Sequence, residues 1–176
     1  MIIRDIKNNL TEDFDKKKAV VVIGPRQVGK TTLIEELVKD KKVLFLNGDD
    51  SQTRMQLSGA NFQFLMQMVN DYNTVVIDEA QRIENIGVTV KMLIDAKLNK
   101  QFILTGSSSL DLGNKINEPL TGRKWEHLLL PLSWNEIKNH YGFATAYSRL
   151  EEFLIYGMYP EVVTGNKKQK ILSQLA

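Results

Sequence analysis

The chain contains no cysteine, which excludes disulfide bonds, thiolate metal sites and cysteine nucleophiles within its 176 residues. Histidine is scarce, since only His127 and His140 occur. A three-histidine metal site therefore cannot be built within the chain, and a Ser-His-Asp triad would have to use one of these two. An excess of one charge is also lacking, because 23 Lys and Arg against 21 Asp and Glu leave a net charge of +2. That charge is too small to indicate a nucleic-acid-binding protein.

Long hydrophobic runs are missing as well. The longest, residues 19–23 and 128–132, have five residues each, whereas a bilayer-spanning helix needs roughly 20. The first seven residues include charged side chains where a secretory signal peptide would need its apolar centre, so we expect a cytoplasmic location. With 43% apolar and 25% charged residues, the composition is that of a globular protein, and the length predicts one domain or one domain and the start of another.

Short apolar runs recur along the chain with helical patterns between them. The predicted strands are residues 20–23, 43–46, 74–77, 101–105 and 124–130. Continuous rather than alternating apolarity is typical of strands buried on both faces of a parallel sheet. One helical pattern, before the fourth strand, places Val88, Met92, Leu93 and Ala96 on a single face. This βαβ succession predicts an α/β fold with a doubly wound parallel sheet.

The end of the chain shows the sequence patterns of helices. Ser133 followed by Glu136 fits a capping box, and so does Ser148 followed by Glu151, so two helices are predicted to start there. Gly157 is well placed to end the second of these helices. The last helical pattern is still running at the final residue, so we expect this region to be cut from a longer chain.

A glycine-containing loop follows the first predicted strand. Residues 24–31 match G-x-x-x-x-G-K-[ST], with a strand before and a helix after. Its glycines let successive backbone N–H groups point at a polyanion, and the helix adds its positive N-terminal end. Lys30 is predicted to reach the β and γ phosphates, Thr31 to offer its hydroxyl to Mg²⁺, and Thr32 to contact the α phosphate. The predicted nucleotide-binding residues are Gly24, Pro25, Arg26, Gln27, Val28, Gly29, Lys30, Thr31 and Thr32. The alternative, a turn that merely joins strand to helix, needs neither Lys30 nor Thr31.

The third predicted strand ends in two carboxylates. At the carboxyl end of a parallel strand the first acid, Asp78, can face the Mg²⁺ site. The second, Glu79, is predicted to orient and deprotonate an attacking water. An acid placed to activate water favours hydrolysis over transfer of phosphate to a substrate. The alternative is that both acids cap the next helix.

Hydroxyl side chains gather where the fourth predicted strand ends, in residues 104–109. Such a group can sense the γ phosphate or hold the water opposite Glu79. We assign this role to Ser107, with Thr105 as the second choice. The alternative is a Ser-rich cap for the helix around Leu110.

Together these residues resemble the AAA+ ATPases, and within them a group of prokaryotic predicted ATPases with an additional C-terminal domain. The matching segments are GPRQVGKTTL at residues 24–33, VVIDEAQRI at 75–83, ILTGSSSL at 103–110, LTGR at 120–123, LPLSWNE at 130–136 and YGMYPEVV at 156–163. The first two are generic to phosphate-loop NTPases, and the last four point to the particular group. One departure is Met158, where the group usually has the second of two glycines.

The resemblance implies a five-stranded sheet in the order 5-1-4-3-2. It also implies an ATP-binding core at residues 1–131 and the start of a helical lid or C-terminal region at 132–176. It marks Arg123 as an arginine finger that completes the site of a neighbouring subunit, the alternative being a surface or structural arginine. Arg26 could instead contact phosphate in its own subunit or pair with Asp49 or Asp50. ATP as the nucleotide rests on the resemblance, and residues 2–6 are the expected base-pocket segment.

Two functions follow as hypotheses. The first is a Mg²⁺-dependent ATPase that drives a partner or C-terminal domain, acting as a homo-oligomer, with DNA or a protein as a possible partner and no membrane association. The second is a nucleotide-dependent switch that holds ATP or ADP with negligible hydrolysis. A small-molecule kinase is disfavoured by Glu79.

Overall fold

The computed structural model describes residues 2–14, 18–59, 61–107 and 109–175. The strands are β1 Ala19–Ile23, β2 Val43–Asn47, β3 Thr74–Asp78, β4 Gln101–Gly106 and β5 Lys124–Leu128. The helices around the sheet are α1 Lys7–Asp13, α2 Lys30–Val38, α3 Ser51–Leu57, α4 Phe62–Val69, α5 Ile86–Asp95 and α6 Ser109–Ile116, with a 3₁₀ turn at Ala80–Arg82. The helices after β5 are α7 Trp134–Tyr141, α8 Phe143–Ser148, α9 Leu150–Tyr156, α10 Pro160–Thr164 and α11 Lys168–Leu175.

All five strands pair in parallel, in the order β2-β3-β4-β1-β5. Counted from the β5 edge this order is 5-1-4-3-2, so the predicted α/β fold and sheet order are confirmed. Because β4 lies between β1 and β3, the segments that follow these three strands meet at the carboxyl edge of the sheet. None of the helices in the described ranges combines the length and the apolar character that a membrane span requires.

Alternate residues of β1 pack into two separate cores. Ala19, Val21 and Ile23 lie in the core on one face, with residues of α4, α5 and α6. Val20 and Val22 lie in the core on the other face, with residues of α1 and α2. Every residue of β1, β3 and β4 is buried, whereas the edge strands β2 and β5 are partly exposed. Burial on both faces explains the continuous apolar runs in the sequence.

Helix α5 buries only part of the predicted face, since Leu93 is buried and Met92 packs against the core. Its buried apolar residues include Ile86, Val90 and Leu93, whereas Val88 is 48% exposed. Most positions from 86 to 94 are apolar, so periodicity alone does not select one face. Packing against α4 and α6 makes the selection.

The helices after β5 pack around a third core, formed by Leu132, Ile137, Ala146, Phe153 and Val163 together with Ile2. This core contains residues from both sides of position 131, and the predicted domain division there stays a prediction. The first predicted capping box forms, since Glu136 N donates to Ser133 Oγ at 3.1 Å and Ser133 N donates to Glu136 Oε2 at 2.8 Å.

The second predicted capping box is wrong. Ser148 is the last residue of α8, and its hydroxyl donates to the carbonyl of Thr145 within that helix. Helix α9 begins two residues later, at Leu150, with Arg149 as its N-cap. Because α8 runs up to Ser148, that side chain belongs to a helix end. Gly157 ends α9 with a φ of 78°, as predicted.

Candidate functional site

The loop between β1 and α2 closes around the amino group of Lys30. Gly29, the N-cap of α2, has a φ of 91°, and Gln27 has a φ of 62°. Changes of backbone handedness of this kind build the concave loops that bind anions. The Lys30 side chain is 5% exposed, and its Nζ donates to the carbonyls of Gly24 at 2.8 Å and Pro25 at 2.9 Å. The loop is therefore built around the buried ammonium group of Lys30.

Two carboxylates act on this cation. Burial lowers the pKa of Lys30 and is the largest influence on it. The negative charges of Glu79 and Asp78 oppose that effect, while the positive charge of Arg26 adds to it. The structure thus brings the predicted loop and the predicted acid pair together at one edge of the sheet.

Asp78, the last residue of β3, lies between two hydroxyl groups. Thr31 Oγ1 donates to Asp78 Oδ2 at 2.9 Å, and Thr105 Oγ1 donates to Asp78 Oδ1. Mg²⁺ binds oxygen ligands and commonly takes one or two carboxylates together with substrate phosphates. A threonine hydroxyl beside a carboxylate at the start of α2 fits that ligand set.

Glu79 follows in a left-handed conformation, with a φ of 48°. Its Oε2 accepts a hydrogen bond from Gln81 Nε2, which also donates to Ser107 Oγ at 3.0 Å. Asp78 bonds to hydroxyls and the side chain of Glu79 makes no capping hydrogen bond, so the interpretation of both acids as helix caps is wrong.

The hydroxyl groups of Thr105, in β4, and Ser107, directly after it, lie in different surroundings. Thr105 is fully buried, and its hydroxyl is used between the Asp78 carboxylate and the backbone N–H of Glu79. Ser107 is half-buried and joined to Glu79 through Gln81. Ser107 therefore lies beside the predicted base, whereas Thr105 forms hydrogen bonds with both residues of the acid pair. Ser108 lies outside the described residues.

Arg123 lies at the amino ends of the strands, opposite the carboxyl edge where the loop and the acid pair meet. Its carbonyl accepts from the N–H of Ala19, the first residue of β1, and its Nε donates to Asp95 Oδ1 at 2.7 Å. A strand rises about 3.3 Å per residue, so Arg123 is separated from the loop after β1 by about 16 Å of strand. The structure does not bring Arg123 to the phosphate loop of its own subunit. A cleft of about 710 Å³ lined by Asp95 is similarly remote from the loop.

Arg26, in the loop, and Thr32, in the first turn of α2, are both exposed. The alternative of a salt bridge from Arg26 to Asp49 or Asp50 is not what the structure shows, because both carboxylates have other partners. Asp49 pairs with Arg82 at 3.3 Å, and Asp50 caps α3 by accepting from the backbone of Gln52 and Thr53.

Sequence reasoning missed a buried arginine beneath the loop. Arg4 is 8% exposed and donates to the carbonyl of Val28 at 2.7 Å, to the carbonyl of Leu130, and to Glu136 Oε1 at 3.1 Å. It joins the phosphate loop to the start of α7. Arg4 and Glu136 are 132 residues apart, so no local pattern could reveal the pair. Gln81 lies inside a recognised motif but had no role assigned.

A cavity of about 340 Å³ opens beside the loop. Its lining includes Ile2, Arg4, Val28, Gly29, Leu132 and Pro160, so the N-terminal segment, the phosphate loop and the helices after β5 all contribute. Ile2 and Arg4 belong to the expected base-pocket segment.

A parallel sheet in this order, with a Gly-Lys-Thr loop after β1 and an acid pair ending β3, defines a P-loop NTPase fold. A family model described as an AAA domain matches residues 16–138, well over half of the chain. The chain belongs to this AAA domain family. Membership of this family indicates a nucleotide-binding domain of the ATPase type.

Two of the relatives in sequence are uncharacterized proteins of bacteria. A protein of Haemophilus influenzae is 28% identical over 172 residues, covering 87% of this chain and 42% of that protein. One of Mycobacterium tuberculosis is 28% identical over 121 residues, covering 68% of this chain and 26% of that protein. The chain thus spans less than half the length of these relatives.

Solved structures share the fold at low identity. The Walker-type ATPase of Pyrococcus abyssi has a TM-score of 0.67 at 15% identity, over 99% of this chain and 71% of that one. Domain III of the Thermotoga maritima replication initiation protein DnaA has a TM-score of 0.57 at 13% identity, over 86% of this chain and 72% of that one.

Proposed function

We propose that the chain is the ATP-hydrolysing domain of an AAA+ type ATPase, which binds ATP with Mg²⁺ and couples hydrolysis to a partner or C-terminal domain. One observation carries the proposal. The phosphate loop around Lys30 and the acid pair meet at one edge of the sheet, where Thr31 Oγ1 lies 2.9 Å from Asp78 Oδ2.

Residues 24–32 bind the phosphates in this proposal, through backbone N–H groups and the ammonium of Lys30. Nucleotide phosphates would replace the Gly24 and Pro25 carbonyls as partners of Lys30 Nζ, which lies 2.8 Å and 2.9 Å from them. Thr31 and Asp78 are the residues that would hold Mg²⁺. When bound, the ion withdraws negative charge from the β and γ phosphate oxygens.

Glu79 is the proposed general base. Its carboxylate takes a proton from a water whose oxygen attacks the γ phosphorus, while the bond from that phosphorus to the bridging oxygen breaks and ADP leaves. Ser107, held near Glu79 through Gln81, is the proposed donor to the γ phosphate.

The 340 Å³ cavity supports the base end of the site. Ile2, Val28, Leu132 and Pro160 provide apolar walls of the kind that enclose a planar ring, directly beside Gly29 of the loop. The choice of adenine rests on the resemblance to the AAA+ family.

Arg123 is proposed to act in a neighbouring subunit of a homo-oligomer, because it lies at the far edge of its own sheet. An arginine finger is worth about 10³ to 10⁵ in rate, so turnover should rise with protein concentration. DNA or a protein that stimulates turnover is a further proposal.

Three variants test the proposal in binding and phosphate-release assays. Lys30→Ala should lose ATP binding. Glu79→Gln should keep binding and lose at least about 100-fold in turnover. Arg123→Ala should also be inactive, yet mixing it with Glu79→Gln should restore activity, because a mixed interface pairs an intact base with an intact arginine. Asp95→Ala is the matched control, since it removes only the partner of Arg123 in its own chain.

The same assays separate the enzyme from the nucleotide switch. Tight nucleotide binding with a rate near zero at every protein concentration would support the switch. Turnover in Glu79→Gln equal to the wild type would exclude the proposed base.

A further inference from the structure

Gln81 joins the two groups on either side of the proposed reaction. Its amide nitrogen carries two N–H groups and donates to both Glu79 Oε2 and Ser107 Oγ, at 3.0 Å in the second case. The amide therefore uses its full donor capacity on the residue that follows β3 and the residue that follows β4.

The orientation of this amide is determined by its surroundings. Exchanging its oxygen and nitrogen would place Oε1 against the Glu79 carboxylate, so two acceptors would face each other. In the present orientation Oε1 is buried and finds no hydrogen-bond partner among the described residues. A Cβ added to Gly106 would lie 2.9 Å from this Oε1 and 2.7 Å from Leu112 Cδ2. The side chain lies directly against the backbone of β4, in a slot that the glycine leaves open.

The backbone of Gln81 is held as well. It lies in the 3₁₀ turn Ala80–Arg82, directly after the left-handed Glu79. Lys115 Nζ, from α6, donates to the carbonyls of Gln81 and of Ile83, at 3.2 Å in the second case. A buried orphan acceptor and a left-handed glutamate are both unfavourable, and such features concentrate at functional sites.

We propose that Gln81 is a positioning residue for hydrolysis, which holds the Glu79 carboxylate and the Ser107 hydroxyl in a fixed position relative to each other. This inference rests on the proposed function. Because Gln81 donates to Ser107 Oγ, the Ser107 O–H is free to donate to a phosphate oxygen. Because it occupies Glu79 Oε2, the other carboxylate oxygen is left to accept the proton of the attacking water.

The test is Gln81→Met, which keeps the length of the side chain and removes the donor. Turnover should fall about 10-fold to 100-fold, while KM and the ATP dissociation constant stay within about twofold, since Gln81 contacts neither loop nor base cavity. Tm should stay within about 3 °C, because the variant loses the orphan acceptor together with the two hydrogen bonds. Thr89→Val is the matched control, since it removes a buried hydrogen bond to the Leu57 carbonyl away from the site and should leave turnover unchanged.

A double-mutant cycle with Ser107→Ala distinguishes positioning from packing. If Gln81 acts by holding Ser107 and Glu79 together, the double variant should lose no more than the worse single variant. Additive losses, wild-type or faster turnover in Gln81→Met, or a KM that rises in parallel would each overturn the inference. If Glu79→Gln is inactive and Gln81→Met is not, only this inference fails, whereas a wild-type protein that binds ATP without hydrolysing it overturns both.

Discussion

Replacing Arg4 with alanine should destabilise the protein more than any exposed charge substitution. The Arg4 and Glu136 side chains are 8% and 5% exposed, and the guanidinium also holds the carbonyls of Val28 and Leu130. Removing one partner of a buried ion pair typically costs about 3–5 kcal/mol, because the other charge is left buried. Glu136 would keep its hydrogen bonds from the backbone of Asp5 and Ser133, so we expect the lower half of that range.

The matched control is Lys7→Ala. Lys7 also pairs with a glutamate, Glu36, at 2.7 Å, but its side chain is 35% exposed and that of Glu36 is 31% exposed. Such a pair is worth at most about 1 kcal/mol. At about 2–4 °C per kcal/mol for a domain of this size, Arg4→Ala should lower Tm by about 6–16 °C and Lys7→Ala by less than about 4 °C. Thermal unfolding followed by circular dichroism measures both, and equal shifts in the two variants would refute the reasoning.

Three further changes have definite expected outcomes. Gly24→Ala should abolish nucleotide binding and lower Tm, because its Cβ would lie 2.0 Å from the Leu129 carbonyl oxygen; calorimetry with ATP checks this, and normal binding would contradict it. Lys30→Met should leave Tm equal or higher while ATP binding disappears, since burial lowers the pKa of Lys30 and so disfavours its charged form; a lower Tm would contradict this. Asp50 caps α3, and the hydrogen bond from the Thr53 backbone, with smaller contributions from the Thr53 hydroxyl and the Gln52 backbone, lowers its pKa below 3.8. The stabilisation by the Asp50 carboxylate is therefore present above pH 3.8 and is lost as the pH falls through the lowered pKa of the folded state. The Tm difference between wild type and Asp50→Asn should accordingly shrink below about pH 4, and a difference that stays constant would contradict the assignment.

Much of the fold could be predicted because its signals are local. The three central strands appear as continuous apolar runs, since each is buried on both faces, and the predicted bounds of all five strands differ from the observed ones by two residues at most. The loop at residues 24–31 could also be predicted from a local signal, because its backbone shape depends on which of its residues are glycine. The sheet order and the proposed role of Arg123 as an arginine finger came from the family resemblance. Helix α5 shows where local signals end, since a segment apolar at most positions has no preferred face until its neighbours pack against it.

The sequence by itself determined the chemistry available to this protein: a glycine-containing loop with Lys30, an acid pair at the end of a strand, and hydroxyl groups after another. Only the tertiary structure decided how these groups are held. Arg4, before β1, meets Glu136, after β5, across 132 residues in a sheet where β5 pairs with β1. Gln81 meets Ser107 across 26 residues because β4 pairs with β3. Contacts between residues so far apart depend on the order in which strands pair. That order is set by the packing of the whole sheet, and no short segment of the chain contains it.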